Sequence, residues 1–297
     1  MSRARIERAI VRLAARAKIN LRLQILAREE TGYHQIETVF CALDFADDVE
    51  ITLGGNRLQL DIECADGIRV PTGSHNLVQR AAELFFAQAN KPPGATLRLK
   101  KRIPVGAGLG GGSSDAASTL KGLNLLTHNP LSDAQLTELG AQLGADVPFF
   151  LCGSSLALGW GRGQRLLPLS PLPPMPTLLV VPPFAIETRA AYQAIESLAL
   201  AAPHVIKPIR LEGWDSAQQD ARNDFENVLF PRYPELPEIR DALKEAGATT
   251  ALLAGSGSAL FGLFPLRRLA ARAAKNLREI RPDLRTIETV TTAWTSY

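Results

Sequence analysis

Cysteine and histidine are scarce in this chain of 297 residues, which contains three Cys and four His. Cys41, Cys64 and Cys152 lie far apart, and no Cys-x-x-Cys pair occurs. A small, odd and scattered set argues against a disulfide framework and against a structural zinc site. We therefore expect three free thiols, packed mostly as small hydrophobic side chains, in a reducing cytoplasm.

Long apolar runs are missing as well. No stretch approaches the roughly 18 uninterrupted apolar residues that a membrane-spanning helix needs, so we expect no membrane partner. Residues 1–18 contain five arginines and lack the continuous apolar segment and the small-residue cleavage site of a secretory signal. An Arg-rich organellar transit sequence is the alternative interpretation of this segment, and the cytoplasm is the favoured location.

A large excess of either charge is also absent. The 33 Lys and Arg residues stand against 30 Asp and Glu, which gives a net charge of +3. The hydrophobic fraction of 46% and the charged fraction of 21% are those of an ordinary folded protein. No basic cluster with interleaved aromatic residues is present, which argues against a dedicated nucleic-acid-binding protein. Small anionic ligands remain compatible with this charge.

Strand and helix patterns mix along the chain without a regular repeat. Alternating patterns predict strands at 10–25, 38–43, 48–53, 58–64 and 96–103, and helical patterns cover 76–88, 114–126 and 133–143. In the second half we predict strands at 177–181, 251–254, 260–264 and 284–291, and helices at 190–200, 235–246 and 266–280. Such a mixture favours an α+β fold over a doubly wound sheet.

Proline marks the predicted domain boundary. Residues 170–183 hold six of the twenty prolines, a density that disfavours helix and is typical of a linker or of the edge of a new unit. We therefore predict one domain at 1–170 and a second at 171–297.

A glycine-rich loop is the strongest local signal. Five glycines, at positions 106, 108, 110, 111 and 112, lie between a predicted strand and a predicted helix. Without Cβ atoms the backbone can turn its N–H groups inward and allow a phosphate to approach, and the helix start adds unpaired N–H groups. Ser113 and Ser114 add hydroxyls beside the phosphate. A flexible or tightly packed turn is the alternative.

Several known phosphate loops do not match this segment. Gly106, Gly108 and Gly111 fit G-x-G-x-x-G, but the expected acidic residue after a following strand is missing, so a dinucleotide site is poorly supported. A Walker A loop requires Gly-Lys-Ser/Thr, whereas Gly112 is followed directly by Ser113. The HRD and DFG motifs of protein kinases are also absent.

The segment PVGAGLGGGSSDAA at 104–117 resembles the second motif of the GHMP kinase family, named for galactokinase, homoserine kinase, mevalonate kinase and phosphomevalonate kinase. Other segments of the chain extend the resemblance, in the expected order: AKINL at 17–21, TGYHQIETVF at 31–40, SHNL at 74–77, GADVPFFL at 144–151, NDFEN at 223–227 and GSGS at 255–258. The resemblance covers residues from about 11 to 264, nearly the whole chain.

The resemblance implies a two-domain α+β GHMP kinase fold, with a ribosomal S5 domain 2-like N-terminal domain and a ferredoxin-like C-terminal domain. It implies an ATP-dependent kinase that uses Mg²⁺ and acts on a small molecule, the 2-hydroxyl of 4-diphosphocytidyl-2-C-methyl-D-erythritol, in the non-mevalonate route to isopentenyl diphosphate. We expect no nucleic-acid partner, and a monomer or a weak homodimer. The alternatives are a kinase of homoserine or mevalonate and a catalytically silent nucleotide-binding protein.

The same resemblance assigns the reacting groups and the ATP site. It makes Asp146 the catalytic base and Lys18 its electrostatic partner, although from the residues alone a surface charge or a structural salt bridge explains each. It assigns ATP binding to Pro104, Val105, Gly106, Ala107, Gly108, Leu109, Gly110, Gly111, Gly112, Ser113 and Ser114, with Asn76 and Lys101. A polar turn and a solvated strand lysine explain the last two equally well. No residue is assigned as a direct metal ligand.

Tyr33 and His34 lie in a short TGYHQ turn, where such a pair is often structural. The resemblance implies that they provide an aromatic face and hydrogen bonds for the cytosine, and that Tyr192 closes the other side of the base. Thr188 and Asn20 are implied as polar contacts to the methylerythritol diphosphate part. The alternative for Tyr192 is a packing residue on a helix face.

Overall fold

The computed structural model describes residues 9–65, 67–91, 94–196 and 211–293. Its strands are β1 (Ile10–Arg28), β2 (His34–Leu53), β3 (Leu58–Cys64), β4 (Ala95–Lys101), β5 (Leu156–Gly161), β6 (Arg165–Pro168), β7 (Pro176–Val181), β8 (Arg222–Asn223), β9 (Thr250–Leu253), β10 (Leu260–Leu263) and β11 (Arg285–Val290). Its helices are α1 (Leu77–Gln88), α2 (Gly111–Leu126), α3 (Asp133–Leu143), α4 (Val147–Leu151), α5 (Thr188–Glu196), α6 (Trp214–Gln219), α7 (Glu226–Leu229), α8 (Glu235–Glu245) and α9 (Arg267–Ile280).

The strands form two sheets in the part of the chain that is described. The larger has seven strands in the order β3-β4-β2-β1-β8, with β5 paired to β2 and β6 paired to β5. The smaller is an antiparallel sheet of four strands in the order β11-β7-β10-β9. None of the described helices is both long enough and apolar enough to cross a bilayer.

The described part of the chain divides into two compact units, and the first comprises the described residues up to Arg16 and those of Ala46–Ile103 and Gly111–Cys152. Here β4 pairs antiparallel with the second part of β2 and parallel with β3. Apolar and polar residues alternate along β4, so that Ala95, Leu97 and Leu99 are buried while the polar residues between them are more exposed. Helices α1, α3 and α4 pack against α2, most of whose residues are buried.

The second unit comprises Ala17–Phe45, Pro104–Gly110 and the described residues of Gly153–Tyr297. In this unit β5 pairs antiparallel with the first part of β2, and β6 pairs antiparallel with β5. Strand β8 pairs parallel with β1 at Arg22 and Leu23. The antiparallel sheet packs against α8 and α9. Its apolar core contains Leu178, Val180 and Leu260. Both units draw on several stretches of the chain, and the domain division at 170/171 stays a prediction.

Several predicted elements have the predicted limits. Residues 58–64 form β3 and residues 133–143 form α3, whose N-cap is Ser132 in a capping box with Gln135. The predicted strands 38–43 and 48–53 were wrong as separate elements, because they belong to the single strand β2. The end of the predicted helix 190–200 lies outside the described residues.

Candidate active site

The glycine loop 104–110 belongs to the second unit and is closely packed there. Gly106, Gly108 and Gly110 have φ angles of +71°, +77° and +70°, a region that favours glycine. A Cβ on Gly108 would lie 1.9 Å from the carbonyl oxygen of Ala254, and the Ala259 N–H donates to the Ala107 carbonyl at 3.2 Å. A second loop, 254–259, therefore packs directly against the glycine loop and leaves no room for a side chain at Gly108.

Lys18 on β1 is buried beside these two loops. Its backbone N–H donates to the Leu109 carbonyl at 2.9 Å, and its Nζ donates to Asn20 Oδ1 at 2.9 Å. Asn20 Nδ2 in turn donates to Thr38 Oγ1 at 2.7 Å. A Cβ on Gly255 would lie 3.2 Å from Lys18 Nζ. Hydrogen bonds from Lys18 to Asn20 and from Asn20 to Thr38 thus hold the ammonium group against loop 254–259. The backbone of the same lysine binds the glycine loop.

Side-chain hydrogen bonds fix loop 254–259 from β8 and α5. Asn223 Nδ2 donates to the carbonyl oxygens of Leu253 and Gly255 at 2.8 and 2.7 Å. The hydroxyls of Thr188, at the start of α5, and of the buried Ser256 are 3.0 Å apart. Thr188 is therefore connected to this loop and not to the hairpin that carries Tyr33 and His34.

In the first unit, α2 begins at Gly111, three residues before the predicted start. The first N–H groups of a helix have no partner within the helix and attract anions. Gly112 is exposed, Ser113 is half-buried and Ser114 is buried. A Cβ on Gly144 would lie 3.9 Å from Ser113 Oγ, which places the turn before α4 next to this helix start.

Asp146 directly precedes α4 in that turn and is half-buried. Its backbone is in the right-handed helical region, and its carboxylate makes no capping hydrogen bond to α4. The helix itself is anchored because Val147, Phe149 and Phe150 are buried. The buried residues of α4 thus anchor the backbone of Asp146.

Lys101 forms a buried network with two aspartates. Its Nζ donates to Asp47 and, at 2.7 Å, to Asp115 Oδ2. Asp47 also accepts hydrogen bonds from the backbone N–H groups of Arg102 and Ile103. Burial raises the pKa of Asp115 to about 8 against the attraction of Lys101. Burial alone would lower the pKa of Lys101, but Asp115 and Asp47 outweigh it and the pKa is raised.

Lys101 and Asn76 are therefore both engaged by their own chain. Asn76 accepts a hydrogen bond from the Val78 N–H as the N-cap of α1 and donates to the Pro71 carbonyl. Their assignment to ATP stays a prediction.

The aromatic residues predicted for the substrate base form two groups in the second unit. His34 is buried and stacks on Tyr192, with ring centroids 5.0 Å apart and planes 22° apart, and Tyr192 packs edge-on against Phe225 at 4.9 Å. Tyr33 is largely exposed and lies against the guanidinium group of Arg162. The structure thus joins His34 with Tyr192 directly and gives Tyr33 a separate partner.

No group of three or more His, Cys, Asp or Glu side chains that could hold a metal ion is found in the part of the chain that is described. Mg²⁺ commonly binds through one or two carboxylates together with substrate phosphates and water. The serine hydroxyls at the start of α2 would fit a magnesium ion that arrives with the phosphates of a nucleotide.

Four residues near these groups were not singled out from the sequence. Asp47 and Asp115 are buried acidic residues. The signal that could have identified Asp47 is an acid inside a strand-like run, and for Asp115 it is an acid in the first turns of a helix of small residues. Ser256 lies in a motif that was recognised, and its contact to Thr188 depends on tertiary structure. Arg162 gave no sequence signal, because its partners are far away in the chain.

Two family models match the chain. The model of the GHMP kinases N terminal domain matches residues 76–154, and that of the GHMP kinases C terminal matches residues 206–282. The solved structure of a 4-(cytidine 5'-diphospho)-2C-methyl-D-erythritol kinase is 36% identical with a TM-score of 0.79, covering 95% of this chain and 100% of that chain. A homoserine kinase from Cytophaga hutchinsonii, 16% identical with a TM-score of 0.70, shares the fold over 100% of this chain and 98% of its own.

Curated relatives agree over most of the chain. The 4-diphosphocytidyl-2-C-methyl-D-erythritol kinase of Pelotomaculum thermopropionicum is 42% identical over 91% of this chain and 96% of its own length. That of Solibacter usitatus is 39% identical over 90% of this chain and 85% of its own. The predicted two-domain GHMP kinase fold is confirmed. This chain is an ATP-dependent kinase and belongs to the 4-diphosphocytidyl-2-C-methyl-D-erythritol kinases of the GHMP kinase family.

Proposed function

We propose that this kinase transfers the γ-phosphoryl group of ATP to the 2-hydroxyl of 4-diphosphocytidyl-2-C-methyl-D-erythritol, giving the 2-phosphate and ADP in the non-mevalonate route to isopentenyl diphosphate. The observation that carries the proposal is the combination, within one unit, of a phosphate-type glycine loop with the aromatic residues Tyr33, His34 and Tyr192. Homoserine and mevalonate have no base for such residues to contact. The names of the relatives support the same substrate.

Asp146 is the proposed base, which accepts the proton of the attacking hydroxyl as the bond to phosphorus forms. Its backbone is anchored by the buried residues of α4, and the turn that carries it lies next to the start of α2. Lys18 is the proposed electrostatic partner and stabilises the negative charge that builds up during transfer. Its buried ammonium group is oriented by Asn20.

The phosphates of ATP are proposed to bind along the chain from Pro104 to Ser114. Three glycines with positive φ allow the loop to turn backbone N–H groups toward a phosphate, and the start of α2 would add its unpaired N–H groups and its positive dipole end. Bound Mg²⁺ would neutralise part of the phosphate charge. Asn76 and Lys101 are proposed to act near the adenosine through the turn and the strand that they hold.

The cytosine is proposed to stack on the rings of Tyr33 and Tyr192 and to hydrogen-bond with His34. Stacking of a base on an aromatic side chain contributes about 1–3 kcal/mol. The existing stack of His34 on Tyr192 supports this, because it holds both rings in one place before any base binds. Asn20 and Thr188 are proposed to contact the methylerythritol diphosphate part. We further propose that the enzyme acts in the cytoplasm as a monomer or a weak homodimer.

The test is incubation of the purified protein with Mg²⁺-ATP and each of three alcohols: the cytidyl substrate, homoserine and mevalonate. ³¹P NMR follows the product. A new phosphomonoester signal with the cytidyl substrate alone is the expected result. Turnover of another alcohol would leave the kinase chemistry intact and overturn the roles of Tyr33, His34 and Tyr192.

A further inference from the structure

Tyr33 lies at the turn of the β1–β2 hairpin, and it is 59% exposed. An exposed ring on a hairpin turn has few neighbours that could fix its orientation. One face of this ring is nevertheless covered, because the guanidinium carbon of Arg162 lies 3.8 Å from the ring centroid. That distance is well inside the limit of about 6 Å for a cation–π interaction.

Arg162 is itself held in place by the same hairpin. It lies in the turn between β5 and β6, and its Nη2 donates to Glu29 Oε2 at 2.6 Å and to Thr31 Oγ1 at 3.2 Å. Its backbone N–H donates to Gln164 Oε1 at 2.8 Å. Glu29 and Thr31 come just before Tyr33 in the chain, so Arg162 contacts the hairpin turn at three places. We call Arg162, Glu29 and Thr31 the hairpin clamp.

We propose that Arg162 is a positioning residue for the substrate, which holds the Tyr33 ring with one face against the guanidinium group and the opposite face open to the cytosine. This inference rests on the proposed function. Among the residues that the structure describes, Arg162 is the one ring or cation contact of Tyr33. A ring that is already oriented loses less conformational entropy when the base stacks on it, so the clamp strengthens substrate binding.

The geometry requires arginine in particular. A guanidinium group is planar, so it can lie flat on the phenol ring while its edge donates to Glu29 and Thr31. A lysine ammonium keeps the charge but has no plane to stack. The Arg162→Lys variant should therefore recover only part of the effect.

The first test is steady-state kinetics on the Arg162→Ala, Arg162→Lys and Glu29→Gln variants. We expect Arg162→Ala to raise KM for the cytidyl substrate about tenfold, with kcat and the KM for ATP nearly unchanged, and the other two variants to lie between it and the parent. Arg165→Ala is the matched control, because Arg165 is an exposed arginine on the neighbouring strand β6. An unchanged KM in Arg162→Ala, with or without a lower Tm, would overturn the inference.

The second test separates this inference from the proposed function. The protein is labelled with 3-fluorotyrosine, the Tyr33 signal is identified in a Tyr33→Phe variant, and ¹⁹F NMR follows titration with cytidine 5′-diphosphate. In the parent protein the signal should shift on titration. In Arg162→Ala it should start at another position and require about tenfold more nucleotide.

Two other outcomes contradict the expectation in different ways. If the parent responds to the nucleotide and Arg162→Ala responds at the same concentration, the positioning role alone is wrong. If the parent neither responds nor phosphorylates the cytidyl substrate, the proposed function is wrong, and the substrate role of Arg162 is lost with it.

Discussion

Lys101 Nζ lies 2.7 Å from Asp115 Oδ2, and both side chains are buried directly beneath the start of α2. A Cβ on Gly111 would lie 2.9 Å from the same Nζ atom, so the ammonium group touches the first residue of that helix. A cation at the positive end of a helix dipole is unfavourable unless anions compensate for it. Asp47 provides the compensation and Asp115 accepts a hydrogen bond from the same ammonium group, so Lys101 ties β4 and β2 to the helix that follows the glycine loop.

Loss of Lys101 should therefore destabilise the protein more than a surface lysine does. Lys101→Met leaves the buried Asp47 carboxylate without its cation and Asp115 without its hydrogen-bond donor, which should lower the free energy of unfolding by about 3–5 kcal/mol. Lys100→Met is the matched control, because Lys100 is exposed and pairs with an exposed Glu63, so its loss should cost less than about 1 kcal/mol. Urea unfolding measures both. Equal losses would contradict the structural role of Lys101.

The raised pKa of Asp115 makes stability depend on pH. The pKa is about 8 in the folded protein and about 3.9 in the unfolded chain, so between these values the folded state holds a proton that the unfolded state has released. The free energy of unfolding should fall as the pH rises through this range, by at most about 1.4 kcal/mol per pH unit. In Asp115→Asn this slope should disappear, while the exposed control Asp48→Asn should keep it. Urea unfolding from pH 5 to 8 is the measurement.

Asp146→Asn should separate catalysis from nucleotide binding. The amide has nearly the same size but cannot accept the proton of the substrate hydroxyl, so kcat should fall by a factor of about 100 or more. ATP affinity, measured by calorimetry, should change little. Asp133→Asn is the control, since Asp133 is an exposed acid in the first turn of α3. Normal turnover in Asp146→Asn would remove Asp146 from the mechanism.

Gly108 should be far less tolerant of a side chain than Gly112. In Gly108→Ala the new Cβ would meet the Ala254 carbonyl at 1.9 Å and the backbone would keep a positive φ, so the loop must deform and stability should fall by about 1–3 kcal/mol or more. In Gly112→Ala the nearest atom is Leu77 Cδ1 at an ordinary 3.5 Å, within a helix that favours alanine. Thermal unfolding of both variants compares them directly.

Local sequence patterns predicted the helices and strands whose limits depend on contacts between residues that are close in the chain. Ser132 and Gln135 mark the start of α3 because they form a capping box with each other, and β3 alternates in its own sequence. The continuity of β2 could not be predicted in this way. Its middle contains the polar residue Asp47, which reads as a break until Lys101 and the backbone of residues 102 and 103 satisfy its carboxylate.

The candidate site shows the same limit. The glycine pattern predicts a phosphate loop, but the reason Gly108 must be glycine is the carbonyl of Ala254, far along the chain. The role proposed for Arg162 likewise depends on the pairing of β5 with β2, which places the turn after β5 beside the β1–β2 hairpin. Both features depend on contacts between distant segments of the chain, and a local sequence pattern cannot predict such contacts.

The packing of Gly108 against Ala254 also bears on biosynthesis. Loop 104–110 packs against loop 254–259, and the chain is made from its N-terminus, so this contact can form only after most of the polypeptide has left the ribosome. A nascent chain that ends before residue 254 therefore lacks the segment that packs against the loop proposed to bind ATP. If loop 104–110 binds nucleotide as proposed, ATP should therefore bind only when synthesis of the kinase is nearly complete.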